Sequence, residues 1–257
     1  MMVKRLNNAR PNQPPRPTEA GNAFFIVLIG VVLFTALMFT FSRGAQQGGG
    51  NIANRRADLS ATEILDYASK HDRAINRLLS RNCSESELNF ENASITNSDN
   101  AAAPTDGHCD VFAPNGGGIS FTSIPAQWLD DEHDDKDGYG LPVFGGDARM
   151  LDIGGNDATD QDLILWIGFI SADVCAAINK KLGIDPMPTF VDGPYAGLYY
   201  TGTFNNTWQA ELSEPGLKAA CAREANSDNA FADTANAPSA NQSIAGSYHF
   251  YHVLIAR

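Results

Sequence analysis

Two hydrophobic patterns follow one another in the first third of the chain, and a third, strand-like pattern takes over after them. Residues 21–42, GNAFFIVLIGVVLFTALMFTFS, carry no charge, and Thr35 and Thr40 are the only polar side chains between Ala23 and Phe41. As a helix this run rises ~33 Å at ~1.5 Å per residue, enough for a ~30 Å hydrocarbon core. A helix buried in a water-soluble domain usually keeps a polar stripe, so a run apolar all round reads as a membrane span. Residues 44–51, GAQQGGGN, hold four glycines. Each lowers helix stability by ~1 kcal/mol, which predicts a break or linker over residues 43–56. Periodicity then returns. Ala57, Ala61, Ile64, Ala68, His71, Ile75 and Leu78 step by fours and threes, and Leu59, Leu65 and Leu79 broaden that stripe. This is an amphipathic helix over residues 57–82, with Ser60 and Glu63 spaced as a capping box and Lys70, Arg73, Arg77 and Arg81 crowding its C-terminal half.

Residues 83–257 read as β-rich. Residues 114–118, PNGGG, mark a loop before GISFTSI, residues 118–124, where Ile119, Phe121 and Ser123 alternate with Ser120, Thr122 and Ile124. Residues 149–153 and 162–170 read as strands around a polar turn, and residues 198–204 and 207–212 flank Asn205-Asn206 as a hairpin. The closing SYHFYHVLIAR is rich in β-branched and aromatic types and reads as a last strand. Two short helices are predicted. Ser171 caps one that Gly183 ends, and Ser213 starts the other, over EPGLKAACAREA. Residues 84–108 and 226–246 read as loops.

Charge divides sharply. Residues 1–82 hold 11 Lys/Arg against 5 Asp/Glu, and residues 83–257 hold 7 against 25, so a net of +6 and a net of −18 sum to −12. The acidic part is repelled by phosphate backbones and anionic lipid, which excludes nucleic acid as its partner. The basic residues Lys4, Arg5, Arg10 and Arg16 before the apolar run place the N-terminus in the cytoplasm and everything after the run across the membrane. On that oxidising side, Cys83, Cys109, Cys175 and Cys221 predict two disulfides, with Cys83–Cys109 and Cys175–Cys221 the preferred pairing of three. No CxxC pair exists, and His108 is the only histidine beside a cysteine, so structural zinc is not expected. The run DDEHDDKDG does not fit an EF-hand register, yet Asp130, Asp131, Asp134, Asp135 and Asp137 offer oxygen ligands of the kind Ca²⁺ takes. No other cofactor is expected. The sequence has no GxSxG, HExxH, P-loop or dinucleotide fingerprint, and His249 and His252, three apart in a strand, face opposite ways. No enzyme is expected.

The order of basic leader, glycine, apolar helix, amphipathic helix and Cys-containing domain resembles a type IV pilin or a type II secretion pseudopilin. The resemblance implies an α+β fold, with one long N-terminal helix, transmembrane then amphipathic, packed on a small, mainly antiparallel sheet. It implies a leader, residues 1–21, cut after Gly21 so that Asn22 becomes the first residue. It also implies a filament-core helix over residues 22–42, in which Phe24, Phe25, Leu28, Val31, Phe34, Leu37 and Phe41 pack against neighbouring subunits. Glu19 and Ala20 stand where the family has a basic residue before the glycine, and Asn22 and Ile26 replace its usual Phe or Met and fifth-position Glu. Loss of that Glu suits a minor subunit. The expectation is a structural subunit in the bacterial inner membrane, a homo- or hetero-oligomer of pilin-like chains, its domain periplasmic or extracellular. The alternative is a single-pass anchored periplasmic binding module or hydrolase on a Gly-rich tether.

Overall fold

The computed structural model describes residues 20–96, 98–136, 139–155, 160–192, 199–204, 208–225 and 244–257, and for residues 20–24, 40–51, 191–192 and 208–211 it describes the backbone only. The fold is mixed α and β, with a mostly antiparallel sheet. Helical backbone, α1, is assigned from Ala20 to Ser80. The chain divides into two compact units, Met1–Ile52 and Ala53–Arg257. That boundary falls inside residues 43–56, where a break or linker is expected, although the backbone there is helical. A glycine weakens a helix by only ~1 kcal/mol, so it does not by itself interrupt one. The leader, residues 1–19, lies outside the described residues.

Within Ala53–Arg257 the helical stripe behaves as its spacing requires. Ala57, Ala61, Ile64, Ala68, His71, Ile75 and Leu78 are all buried, while Leu59 is 60% exposed. The helix is already running at Ser60, so no capping box forms there; Ser60 is buried, and Glu63 accepts a bond from Trp128 Nε1 at 3.0 Å.

The sheet is built from β1 (Pro142–Met150), β2 (Asp162–Ile167), β3 (Thr189–Asp192), β4 (Trp208–Leu212), β5 (Ala219–Glu224) and β6 (Tyr248–Ile255). The ladder runs β1-β2-β6-β5-β3-β4 and closes on itself through a parallel β1–β4 pairing, Ala148 opposite Trp208. Three of its antiparallel pairings, β1–β2, β2–β6 and β5–β6, carry most of the register, and β3–β5 is parallel. Alternation sends successive residues to opposite faces. Ile164, Trp166, Tyr251, Val253, Ala220, Ala222, Phe190 and Leu212 fill the inside of the ring. Leu163, Leu165, Ile167, Phe250 and Leu254 face outward, into the core shared with α1 and α2 (Ala172–Leu182). Both faces are therefore dry, which is why β2 reads as an unbroken apolar run.

α2 begins after Ser171 and ends at Gly183, whose φ of 73° is the left-handed conformation glycine adopts at low cost. Ser171 makes no side-chain cap bond. The expected helix after Ser213 is instead turn and then β5. Ala, Arg and Glu favour a helix locally, but Ala219–Arg223 pairs with β6 and the sheet wins. GISFTSI is irregular backbone, with Phe121 and Ile119 packed on the core rather than laddered. Residues 199–204 are not a strand, β3 was not foreseen, and the expected Asn205-Asn206 turn and most of the 226–246 loop lie outside the described residues.

Candidate functional site

Several features bear on function, and the first is the apolar part of α1. From Phe25 to Phe39 every described large apolar side chain is exposed, between 43% and 64%. Phe25, Leu28, Val31, Phe34 and Leu37, assigned to a filament core, are among them; the side chains of Phe24 and Phe41 lie outside the described residues. Thr35, the one polar side chain in this stretch, bonds its hydroxyl back to the Val31 carbonyl at 3.0 Å. Among the described residues no helix is long and apolar enough to cross a membrane, and the described side chains cover only the middle of residues 21–42. Gly21 and Asn22 sit in helical backbone with their side chains outside the description.

The second feature is a clasp at the C-terminal end of α1. Cys83 is bonded to Cys109, and Cys175 of α2 to Cys221 of β5, the preferred pairing in both cases. The second bond links helix to strand, not the two helices expected. Asn179 reinforces it, its amide donating to Cys221 O at 2.6 Å and its oxygen accepting from Cys221 N at 2.9 Å. At the first, Arg77 Nη1 donates to Gly117 O at 2.9 Å and Arg81 Nη1 to Gly116 O at 3.3 Å. The loop must come this close to be reached: a Cβ on Gly116 would lie 2.1 Å from Asp110 O, and one on Gly117 2.3 Å from Val111 O.

Beside this clasp His108 and the two sulfurs come together. A ring nitrogen of His108 and the Sγ atoms of Cys83 and Cys109 all lie within 4.8 Å of one another, the one such group among the described residues. His108 Nδ1 is held by Asp106 Oδ1 at 2.5 Å. The acidic run does not converge in this way. Asp130 accepts from Glu132 N at 3.1 Å, Asp135 pairs with Lys136 at 2.8 Å, Asp131 and Asp134 are exposed, and Asp137 lies outside the described residues.

Several ionisable groups are buried in the domain. His71 donates through Nδ1–H to Tyr67 O at 2.8 Å, sits among Tyr67, Phe112 and Phe144, and is lowered to about 4, chiefly by burial. His249 points into the ring, against Ser247 Oγ at 2.7 Å, and burial lowers it to about 3; His252 faces α1, so the two histidines take opposite faces as expected. Asp147 is buried, its Oδ1 without a hydrogen-bond partner among the described residues, and desolvation raises it to about 7. Asp162 is raised to about 6 by burial, although it accepts from Met150 N at 2.8 Å and Arg257 N at 3.0 Å. Asp162 thereby ties the chain end to β1, a structural task. A groove of about 500 Å³ between Arg56–Glu63 of α1, Gln127 and the first turn of α2 has Leu59 and Val174 on its walls and Arg56, Glu63 and Asp173 at its rim.

The Asp106–His108–cysteine grouping was not foreseen as a site in sequence, where residue 83 stands far from residue 108. Only adjacency of His108 to Cys109 signalled it. No protein-family model matches the chain, and no curated protein or solved structure matches it.

Proposed function

We propose that the chain is a pilin-like or pseudopilin-like structural subunit of the minor kind, held in the bacterial inner membrane by residues 22–42 and presenting Ala53–Arg257 on the far side. The observation that carries this reading is the exposed, apolar surface of residues 25–39, with the Thr35 hydroxyl turned onto its own helix. A helix without a polar face is stable only in lipid or against similar helices. The striped continuation packed on a sheet domain, and two disulfides suited to an oxidising compartment, support the same reading.

The test is the N-terminus of membrane-extracted protein together with a crosslink. A start at Asn22, and disulfide-linked dimers from a Leu28→Cys or Phe34→Cys chain, are the expected results. A start at Met1 without crosslinks overturns assembly and favours the anchored binding module, for which the groove beside Leu59 is the supporting observation. A start near Gln46 overturns membrane retention altogether.

A further inference from the structure

We propose that Cys83, Cys109 and His108 form a redox-gated zinc site, closed while the sulfurs are bonded to each other and completed when that bond opens. The inference stands apart from the assembly role above. Tetrahedral zinc, with Zn–S of ~2.3 Å and Zn–N of ~2.0 Å, places its ligand atoms roughly 3.5–3.8 Å apart. The two sulfurs and a His108 nitrogen already lie within 4.8 Å of one another, so once the S–S bond opens the sulfurs need only swing apart about their Cα–Cβ bonds to approach that spacing.

Backbone hydrogen bonds seat both cysteines independently of the sulfur atoms. Asn89 N donates to Cys109 O at 3.2 Å, and Val111 N to Asn89 O at 2.9 Å. Cys83 N donates to Leu78 O at 3.2 Å, fixing it to the end of α1, while Arg77 and Arg81 bind the neighbouring loop. Opening the S–S bond therefore leaves Cys83 and Cys109 side by side. Asp106 holds Nδ1 of His108 and leaves the lone pair on Nε2, the carboxylate–histidine arrangement that orients imidazole ligands of zinc. His108 is half-exposed, which leaves a fourth position for water.

The chemistry balances with an external dithiol as reductant. It delivers two electrons and two protons, the Cys83–Cys109 bond breaks, two thiols form, and the donor becomes a disulfide. Zn²⁺ then binds both sulfurs as thiolates, releasing the two protons, with neutral His108 as third ligand. The clasp at the end of α1 gains a second means of staying shut under reducing conditions.

The experiment uses the full chain in detergent, oxidised or reduced with a phosphine, thiols counted, then equilibrated with zinc chloride and gel-filtered. Bound zinc is measured by mass spectrometry, and thiolate-to-metal charge transfer by Co²⁺ substitution. The reduced chain should retain stoichiometric zinc and the oxidised chain none. His108→Ala and Asp106→Asn, which keep both cysteine pairs, should each weaken binding by about 10–100-fold. A C175A/C221A chain, left with one cysteine pair, should bind as the wild type does. Equal retention by the oxidised chain, equal affinity in His108→Ala, or no zinc on a chain whose thiols are all free would each overturn the proposal.

Discussion

Asp147 and His71 are both buried titratable groups, and they pull stability in opposite directions with pH. Burial raises Asp147 from its ordinary 3.8 to about 7, so the folded state holds this proton more tightly than the unfolded chain does. Its contribution is full below pH 3.8 and is lost as pH rises toward 7, a cost of up to about 4 kcal/mol over that window. Asp147→Asn, which keeps a neutral polar group there, should gain on the wild type steadily between pH 4 and 7 and hold a constant advantage above. Melting temperature against pH reads this directly, and a parallel pair of curves refutes it. His71 works the other way. Burial lowers it from 6.5 to about 4, with Lys70 and His252 adding repulsion, so its contribution is full above pH 6.5 and is lost as pH falls to 4. His71→Asn should therefore melt less steeply than the wild type across that acid range, whatever its melting temperature at pH 7.

At the scale of the element, α1 in the domain offers its own control, because one helix carries both extremes of burial. Ile64 is fully buried and Leu59 is 60% exposed. Ile64→Ala should cost about 2–5 kcal/mol by urea unfolding, and Leu59→Ala less than about 0.5 kcal/mol. Similar losses at the two positions would mean that the stripe is not the packing face. The clasp loop is equally specific. Gly116→Ala drives a methyl into the Asp110 carbonyl, and the expected loss is about 1–3 kcal/mol, since backbone must move. These two elements were legible in sequence to different degrees. The stripe was, because seven positions keep one period over six turns. α2, the last strand and the cysteine pairing were too, each marked by strong local chemistry. β5 was not, because AACARE favours a helix until β6 lies alongside it, and β3 was not, because four residues carry too little pattern. GISFTSI alternates without pairing, for its apolar members pack on the core one by one. The His108 grouping was legible in part: the Cys83–Cys109 pairing and the adjacency of His108 to Cys109 stand in the sequence, while the Asp106 contact that orients the imidazole depends on the fold of the loop.

For the whole molecule, the division into Met1–Ile52 and Ala53–Arg257 separates two ways of satisfying apolar surface. The second unit satisfies its own. It has a core between helices and sheet, a second core inside the closed ring, and two disulfides that each shorten the unfolded chain's freedom. The described side chains of the first unit instead present their apolar surface outward. A chain cut to residues 53–257 should therefore fold alone, with both disulfides, as a monomer that needs no detergent. Its size is ample for an independent core. Charge adds to this, since removing residues 1–52 takes away five Lys/Arg and one Glu, a net of +4, and leaves a fragment at −16 that repels its own copies and stays dispersed. Size-exclusion chromatography with thiol counting is the measurement: a single monomeric peak, no free thiols, and a melting temperature within a few degrees of the full chain in detergent. An aggregated fragment, or one with free thiols, would mean that residues before Ala53 belong to the fold of the domain. The apolar helix would then be part of the core rather than the means by which the chain meets its surroundings.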